Sequence, residues 1–151
     1  MAESSEQTTV IIAIDKSKIA EKMFDWYVDR LHKAKSDIYL VYCVEGASLA
    51  TSEGMRLSEG EWQKMYRKEM EEKKFIEEKY EKIAKEKNIA IKFDIRYGKP
   101  GEAIVSAAKD LRASFVMMGT RGMGTIRRTI LGSVSDYVVH HCHCPVIVHR
   151  V

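Results

Sequence analysis

Short apolar runs alternate with amphipathic stretches along this chain. The first run, "TVIIAID" (9–15), is nearly continuous and rich in β-branched residues. That is the pattern of a strand buried on both faces. Ser17 stands where a helix N-cap belongs, and Ile19, Met23, Trp26, Tyr27 and Leu31 recur at helical spacing. "DIYLVYCVEG" (37–46) reads as a second strand and "ASLATSEGMRLSEG" (47–60) as a loop. From about 61 to 87 Glu and Lys dominate, with Phe75, Ile76, Tyr80, Ile83 and Ala84 as an apolar stripe. This predicts a long amphipathic helix whose charges form a solvated face. "IAIKFDIRYG" (89–98) alternates with period two and predicts a third strand. Pro100 suits a first helical turn, and Ile104, Val105, Ala108 and Leu111 mark the helix that follows. "SFVMM" (114–118) is a fourth strand, followed by a glycine-rich loop. Gly132-Ser133 then opens a helix carrying Val134, Tyr137, Val138 and His141; Pro145 ends it, and "PVIVHRV" supplies a last strand.

Strands alternating with helices predict an α/β fold: one parallel sheet covered on both faces, with right-handed crossovers. Ligands of such sheets bind beyond the carboxyl ends of the strands, where the strand order reverses. That rule singles out Asp15, residues 43–45, Gly98 and Gly119. The 151 residues make one domain, expected over 9–151 behind a disordered tail at 1–8. A chain of this size buries enough surface to need no disulfide or metal staple.

Net charge is +3, too little to argue for nucleic acid. The polar start has no signal-peptide core, and no apolar run approaches the ~18 residues of a membrane span. Cys43, Cys142 and Cys144 are odd in number and poorly spread for a disulfide framework, so a reducing, cytoplasmic setting is expected.

The loop "GTRGMGTIRRTILGS" (119–133) carries the most specific chemistry. It lacks the lysine of a Walker A loop, and it follows the fourth strand, whereas the dinucleotide fingerprint follows the first. Its spacing is Gly-x2-Gly-x9-Gly-Ser. Gly119 and Gly122 would let backbone approach a ligand closely. Gly132, Ser133, Val134 and Ser135 would present amides and two hydroxyls at a helix N-terminus, which favours an anion. A glycine-rich turn with an ordinary Ser cap is the competing reading.

This signature resembles the ATP-binding motif of the universal stress protein family. "IIAIDKS", "YGKPGEAIVSAA", "SFVMMGTRG" and "ILGSVSDYVVHHCHCPVIVHR" extend the likeness over nearly the whole chain. The resemblance implies a Rossmann-like, five-stranded parallel sheet of order 3-2-1-4-5 that binds ATP, or AMP or ADP. Ala13, Ile14 and Asp15 would lie at the ribose or adenine end, with the backbone around Cys43 facing adenine. Met118 would touch the nucleoside. Gly119, Thr120 and Gly122 would line the ribose and α-phosphate, and Gly132, Ser133, Val134 and Ser135 the outer phosphates. Arg121, Arg127 and Arg128 are either phosphate contacts or solvated loop residues. Magnesium would accompany a triphosphate, held mainly by phosphate oxygens and water.

The function implied is a nucleotide-dependent regulatory or stress-response module. A slow ATPase and a nucleotide-free dimeric scaffold are the alternatives. Catalysis would go no further than slow hydrolysis, since no general base beyond Asp15 is evident. A homodimer through 146–151 is implied, with no nucleic-acid or membrane partner.

"HHCHCP" (140–145) holds zinc-ligand types. The expectation is no structural zinc, because adjacent side chains should diverge and a second ligand cluster is missing. Trp26, Tyr27 and Trp62 are expected in core or interface rather than as base-stacking platforms.

Overall fold

The computed structural model describes residues 7–46, 56–120 and 131–150. Five strands, β1 (Thr8–Ile14), β2 (Ser36–Val44), β3 (Lys92–Tyr97), β4 (Phe115–Gly119) and β5 (Val146–His149), are all parallel. Between them run four described helices, α1 (Lys18–Arg30), α2 (Glu59–Glu86), α3 (Pro100–Asp110) and α4 (Ser133–His141). The sheet order is β3-β2-β1-β4-β5, the order the resemblance implied.

Local chemistry starts the helices where the sequence places them. Ser17 caps α1, its hydroxyl accepting from the Ala20 amide at 3.2 Å. Ser58 and Glu61 form a reciprocal capping box on α2, two residues ahead of the expected start. Pro100 occupies the first turn of α3, where its missing N–H costs nothing.

The two faces of the sheet are packed differently. One carries α1 and α2 over Val10, Ile12, Leu40 and Met117, with Phe24, Tyr27 and Tyr80 as large buried side chains. The other carries α3 and α4 over Ile11, Val41, Val116 and Met118, with Ala107 and Ala108 at the contact. The small residues let α3 come close. Gly101 lies so near α4 that a Cβ there would meet Cδ1 of Tyr137 at 2.8 Å.

Several boundaries and burials differ from expectation. β1 starts at Thr8, within the expected tail; Gln7 is described ahead of it, and 1–6 lie outside the described residues. β3 starts at Lys92; Ile89 and Ile91 still pack against the core before it. Phe75 is 57% exposed, because the inward stripe of α2 is Ile76, Tyr80 and Ala84 and its neighbour stands about 100° round the helix. Trp26 is 39% exposed for a similar reason: Met23, Phe24 and Tyr27 hold the inward face. No described helix is long and apolar enough to cross a membrane.

Candidate functional site

The register brings the expected strand ends together. Ile14 pairs with Tyr42, Val44 with Tyr97, and Gly119 with His149. Asp15, Glu45, Gly98 and Thr120 therefore leave the sheet at one edge. β1 is followed by β2 on one side, while its other neighbour is β4. The order reverses between β1 and β4, and a crevice belongs there. Helix α4 returns antiparallel to the strands, so its N-terminus opens at this same edge.

The β1–β2 side is built from side chains that bind one another. The Asp15 carboxylate accepts the Ser17 amide at 2.8 Å, fixing the turn into α1. The Cys43 thiol donates to the Gly98 carbonyl at 3.2 Å. Gly98 sits at φ +117°, a conformation that side chains disfavour, and this aims the carbonyl. Burial, aided by the charge of Glu45, pushes the Cys43 thiol up to about 11. Burial, then the charges of Glu72 and Asp15, with smaller contributions from Cys43 and Glu45, raise the Tyr42 hydroxyl above its ordinary value. This end of the crevice is thus acidic and rich in acceptors. Such a surface suits the hydroxyl and amino donors of a nucleoside and repels phosphate.

The β4 side is different. Gly132, at φ −62° and ψ 159°, is the N-cap of α4 and supplies no side-chain cap. The competing Ser-cap reading is therefore not what forms: Ser133 is the first helical residue. The opening amides of a helix have no intrahelical acceptor. The first backbone bond of α4 runs from the Asp136 amide to the Gly132 carbonyl at 2.9 Å, leaving the Ser133, Val134 and Ser135 amides ahead of it. Among the described residues, a Cβ on Gly132 would meet nothing within 4 Å. Packing does not require glycine at this position. Gly119 is tighter, a Cβ there approaching Cγ2 of Ile19 at 3.3 Å.

Not every expected residue can offer its side chain. Ile14 and Met118 are 6% and 3% exposed and point into opposite cores, so only their backbone can line the crevice. Ala13 packs on the α3–α4 face. Thr120 donates its amide to the His149 carbonyl at 3.1 Å. Ser133 is exposed and Ser135 buried. Arg121, Gly122, Arg127 and Arg128 lie outside the described residues.

Sequence reasoning missed Lys16 and Glu72, which pair across the α1–α2 side of this edge at 3.3 Å. Glu72 sits in a helix of many charges, so nothing in its pattern distinguishes it.

The geometric expectation for 140–144 is also corrected. Ligand atoms of Cys142, His143 and Cys144 all lie within 4.8 Å of one another. The helix ends at His141 and Cys142 turns extended, at φ −75° and ψ 139°. The chain then bends at His143 and Cys144, which brings the two thiols to 3.4 Å and keeps the His143 ring beside them.

Comparison with known proteins agrees with this architecture. The chain is 25% identical over 147 residues to the universal stress protein Sll1388 of Synechocystis, covering 92% of this chain and 95% of that one. The universal stress protein UspA of Lactobacillus plantarum superposes with a TM-score of 0.76 at 21% identity, over 95% and 98% of the two chains. A family protein from Arabidopsis thaliana, solved with AMP bound, superposes with a TM-score of 0.68 at 21% identity, over 95% and 91%. The sequence profile of the universal stress protein family matches residues 7–150, and the chain belongs to that family.

Proposed function

We propose that this chain binds an adenine nucleotide, ATP with magnesium, in the crevice between β1 and β4. There it would act as a nucleotide-dependent regulatory module. The nucleoside lies against Asp15 and the backbone at Cys43, and the phosphates reach the first turn of α4 and the glycines of 119–122. The observation that carries this reading is the start of α4. Its cap is a glycine that, among the described residues, packing does not demand, and its N-terminus lies at the carboxyl edge of the sheet, where the helix dipole favours an anion. The acidic β1–β2 side sets the direction, since a phosphate would be repelled there. A magnesium ion would be held by phosphate oxygens and water, with the protein supplying the amides. The AMP-bound Arabidopsis neighbour supports an adenine ligand for this fold.

The test is mass spectrometry of nucleotide released from purified, denatured protein. Calorimetric titration with ATP and magnesium, AMP and adenosine accompanies it. Affinity should rise from adenosine to ATP. Failure of ATP to bind with magnesium present removes the reading.

A second observation favours a homodimer. β5 is a sheet edge, and edges offer unpaired backbone groups to another strand. The carbonyls of Pro145 and His149 face β4, so the backbone of Val146 and Val148 points outward. Trp26 stands beside His149, ring centroids 5.5 Å apart, and His149 Nδ1 is buried without a hydrogen-bond partner among the described residues. Proline at Val148 removes an outward amide and spares the β4 ladder. It should turn a dimer into monomer by light scattering; a monomeric wild type at high concentration refutes the dimer.

A further inference from the structure

We infer that Cys142, His143 and Cys144 form a binding site for a soft monovalent metal ion, copper(I), at the C-terminal end of α4. Three donor atoms of the right type lie within 4.8 Å of one another, and the two sulfurs are 3.4 Å apart. With bonds of about 2.3 Å, sulfurs at that spacing subtend about 95° at a shared metal. Parting them by about half an ångström reaches the angle of a three-coordinate ion. Among the described residues the set lacks the fourth protein ligand of a structural zinc site, and thiolates select soft ions. A singly charged copper ion accepts two or three ligands.

The surroundings agree. His143 is exposed, while Cys142 and Cys144 are half-buried against the α3–α4 core, which gives an entry path on one side and an apolar wall on the other. The neighbouring histidines are otherwise engaged. His140 reaches Asp136 at 3.4 Å, and His141 Nδ1 contacts the Tyr137 carbonyl at 2.8 Å with its ring stacked on Tyr137. The site follows the last turn of α4, where the helix dipole favours a cation. It is also the helix end remote from the nucleotide crevice, so the inference does not depend on that reading. Binding is coordination without electron transfer: two thiols lose their protons to solvent, two copper–sulfur bonds and one copper–nitrogen bond form, and copper stays monovalent.

The experiment is anaerobic titration of the reduced, untagged protein with copper(I) against a chromophoric copper(I) chelator, with zinc(II) in parallel. X-ray absorption gives the ligand count. One copper per chain with two sulfurs and one nitrogen is expected, and zinc should bind more weakly. Outer-shell partners of metal sites change affinity by about 10–100-fold, so losing a ligand sulfur should cost at least about a hundredfold. Cys142→Ser and Cys144→Ser should each show this loss. His143→Gln alters an exposed side chain and should keep the fold while removing the nitrogen from the spectrum. Four results overturn the inference: no copper retained against the chelator, equal retention in both cysteine variants, tighter zinc than copper, or an unchanged spectrum in His143→Gln. Should the cysteine variants unfold, the His143→Gln spectrum alone decides.

Discussion

Helices α1 and α4 both begin at the carboxyl edge of the sheet, and they begin in opposite ways. The start of α1 is closed. Ser17 accepts the Ala20 amide, and Asp15 accepts the Ser17 amide. The start of α4 is open: its cap is Gly132, with no side-chain bond and, among the described residues, nothing within 4 Å of the place a Cβ would take. One helix satisfies its own first turn from side chains, and the other leaves backbone donors to something else. A glycine cap forgoes only about a few tenths of a kcal/mol relative to Ser or Asp, and it leaves the amides without a side-chain acceptor. The difference separates a helix start that the chain satisfies with its own side chains from one that, on the proposed reading, receives a ligand.

The largest effect should come from closing the open helix. Gly132→Leu places a side chain where phosphate would approach. Hydrogen bonds to charged groups contribute about 1.5–3 kcal/mol each, so losing two costs at least about a hundredfold in ATP affinity. The ligand-free fold should lose no more than about 1 kcal/mol, the cost of a poor N-cap residue, because φ −62° and ψ 159° suit any residue and, among the described residues, nothing lies within 4 Å of the Cβ. A thermal midpoint that falls while ATP binding persists would show that Gly132 serves packing. Gly101→Ala is the contrasting control: its Cβ would lie 2.8 Å from the Tyr137 ring, and overpacking of this kind costs about 1–3 kcal/mol of stability.

Ser133→Ala is the next step down. It should weaken ATP by roughly tenfold to a hundredfold and leave adenosine unchanged, since one charge-assisted bond is lost. Ser133 is exposed and follows the cap, so stability should move by no more than about 0.5 kcal/mol. Equal losses for the two ligands in calorimetry would take the phosphate role away from α4.

How much of this was legible beforehand follows from what leaves a local trace. The parallel sheet was, because apolar runs at 9–15 and 114–118 are too continuous for half-exposed strands. Ser17 as a cap and Gly132-Ser133 as a helix start were also legible, each being a short-range signal. The outward direction of Trp26 and Phe75 was not. Period 3.6 gives a stripe about two residues wide, and only the neighbouring helices decide which margin is covered. The convergence of Cys142 with Cys144 was illegible for another reason. It depends on the backbone turning extended one residue after α4 ends, and helix ends are uncertain by a residue or two in any reading from sequence.

On the closed side the predicted effects are smaller and differently distributed. Asp15→Ala should weaken ATP and adenosine by the same factor, about tenfold for one bond. It should also lower stability by about 0.5–1.5 kcal/mol, because the Ser17 amide loses its acceptor. Ser17→Ala should cost about 1 kcal/mol of stability and leave both affinities alone. For a chain of this size that is about 2–4 °C in Tm. Nucleotide affinity falling with Ser17→Ala would blur the division between the two helix starts.

The smallest effect concerns pH and again separates the two sides. The α4 side offers backbone amides, which do not titrate in the working range. The β2 end holds the Cys43 thiol, donating to the Gly98 carbonyl and raised from 9.0 to about 11 by burial first and the charge of Glu45 second. The folded chain keeps this proton between pH 9 and 11, whereas the unfolded chain releases it near 9. The unfolded state then binds fewer protons, so stability falls as pH rises. The contribution is fully present below pH 9 and is lost as pH rises through 9 to 11. Tyr42 adds a change of the same sign, its hydroxyl also being raised by burial and acidic neighbours. Thermal midpoints measured across this window should decline more steeply for the wild type than for Cys43→Ser, which has no thiol to titrate. The ratio of ATP to adenosine affinity should stay flat over the same range. Identical slopes for wild type and Cys43→Ser would mean that the thiol at the end of β2 does not feel the burial its position gives it. A ratio that fell with pH would place a titrating group beside the phosphates, and the start of α4 would then not be a purely backbone site.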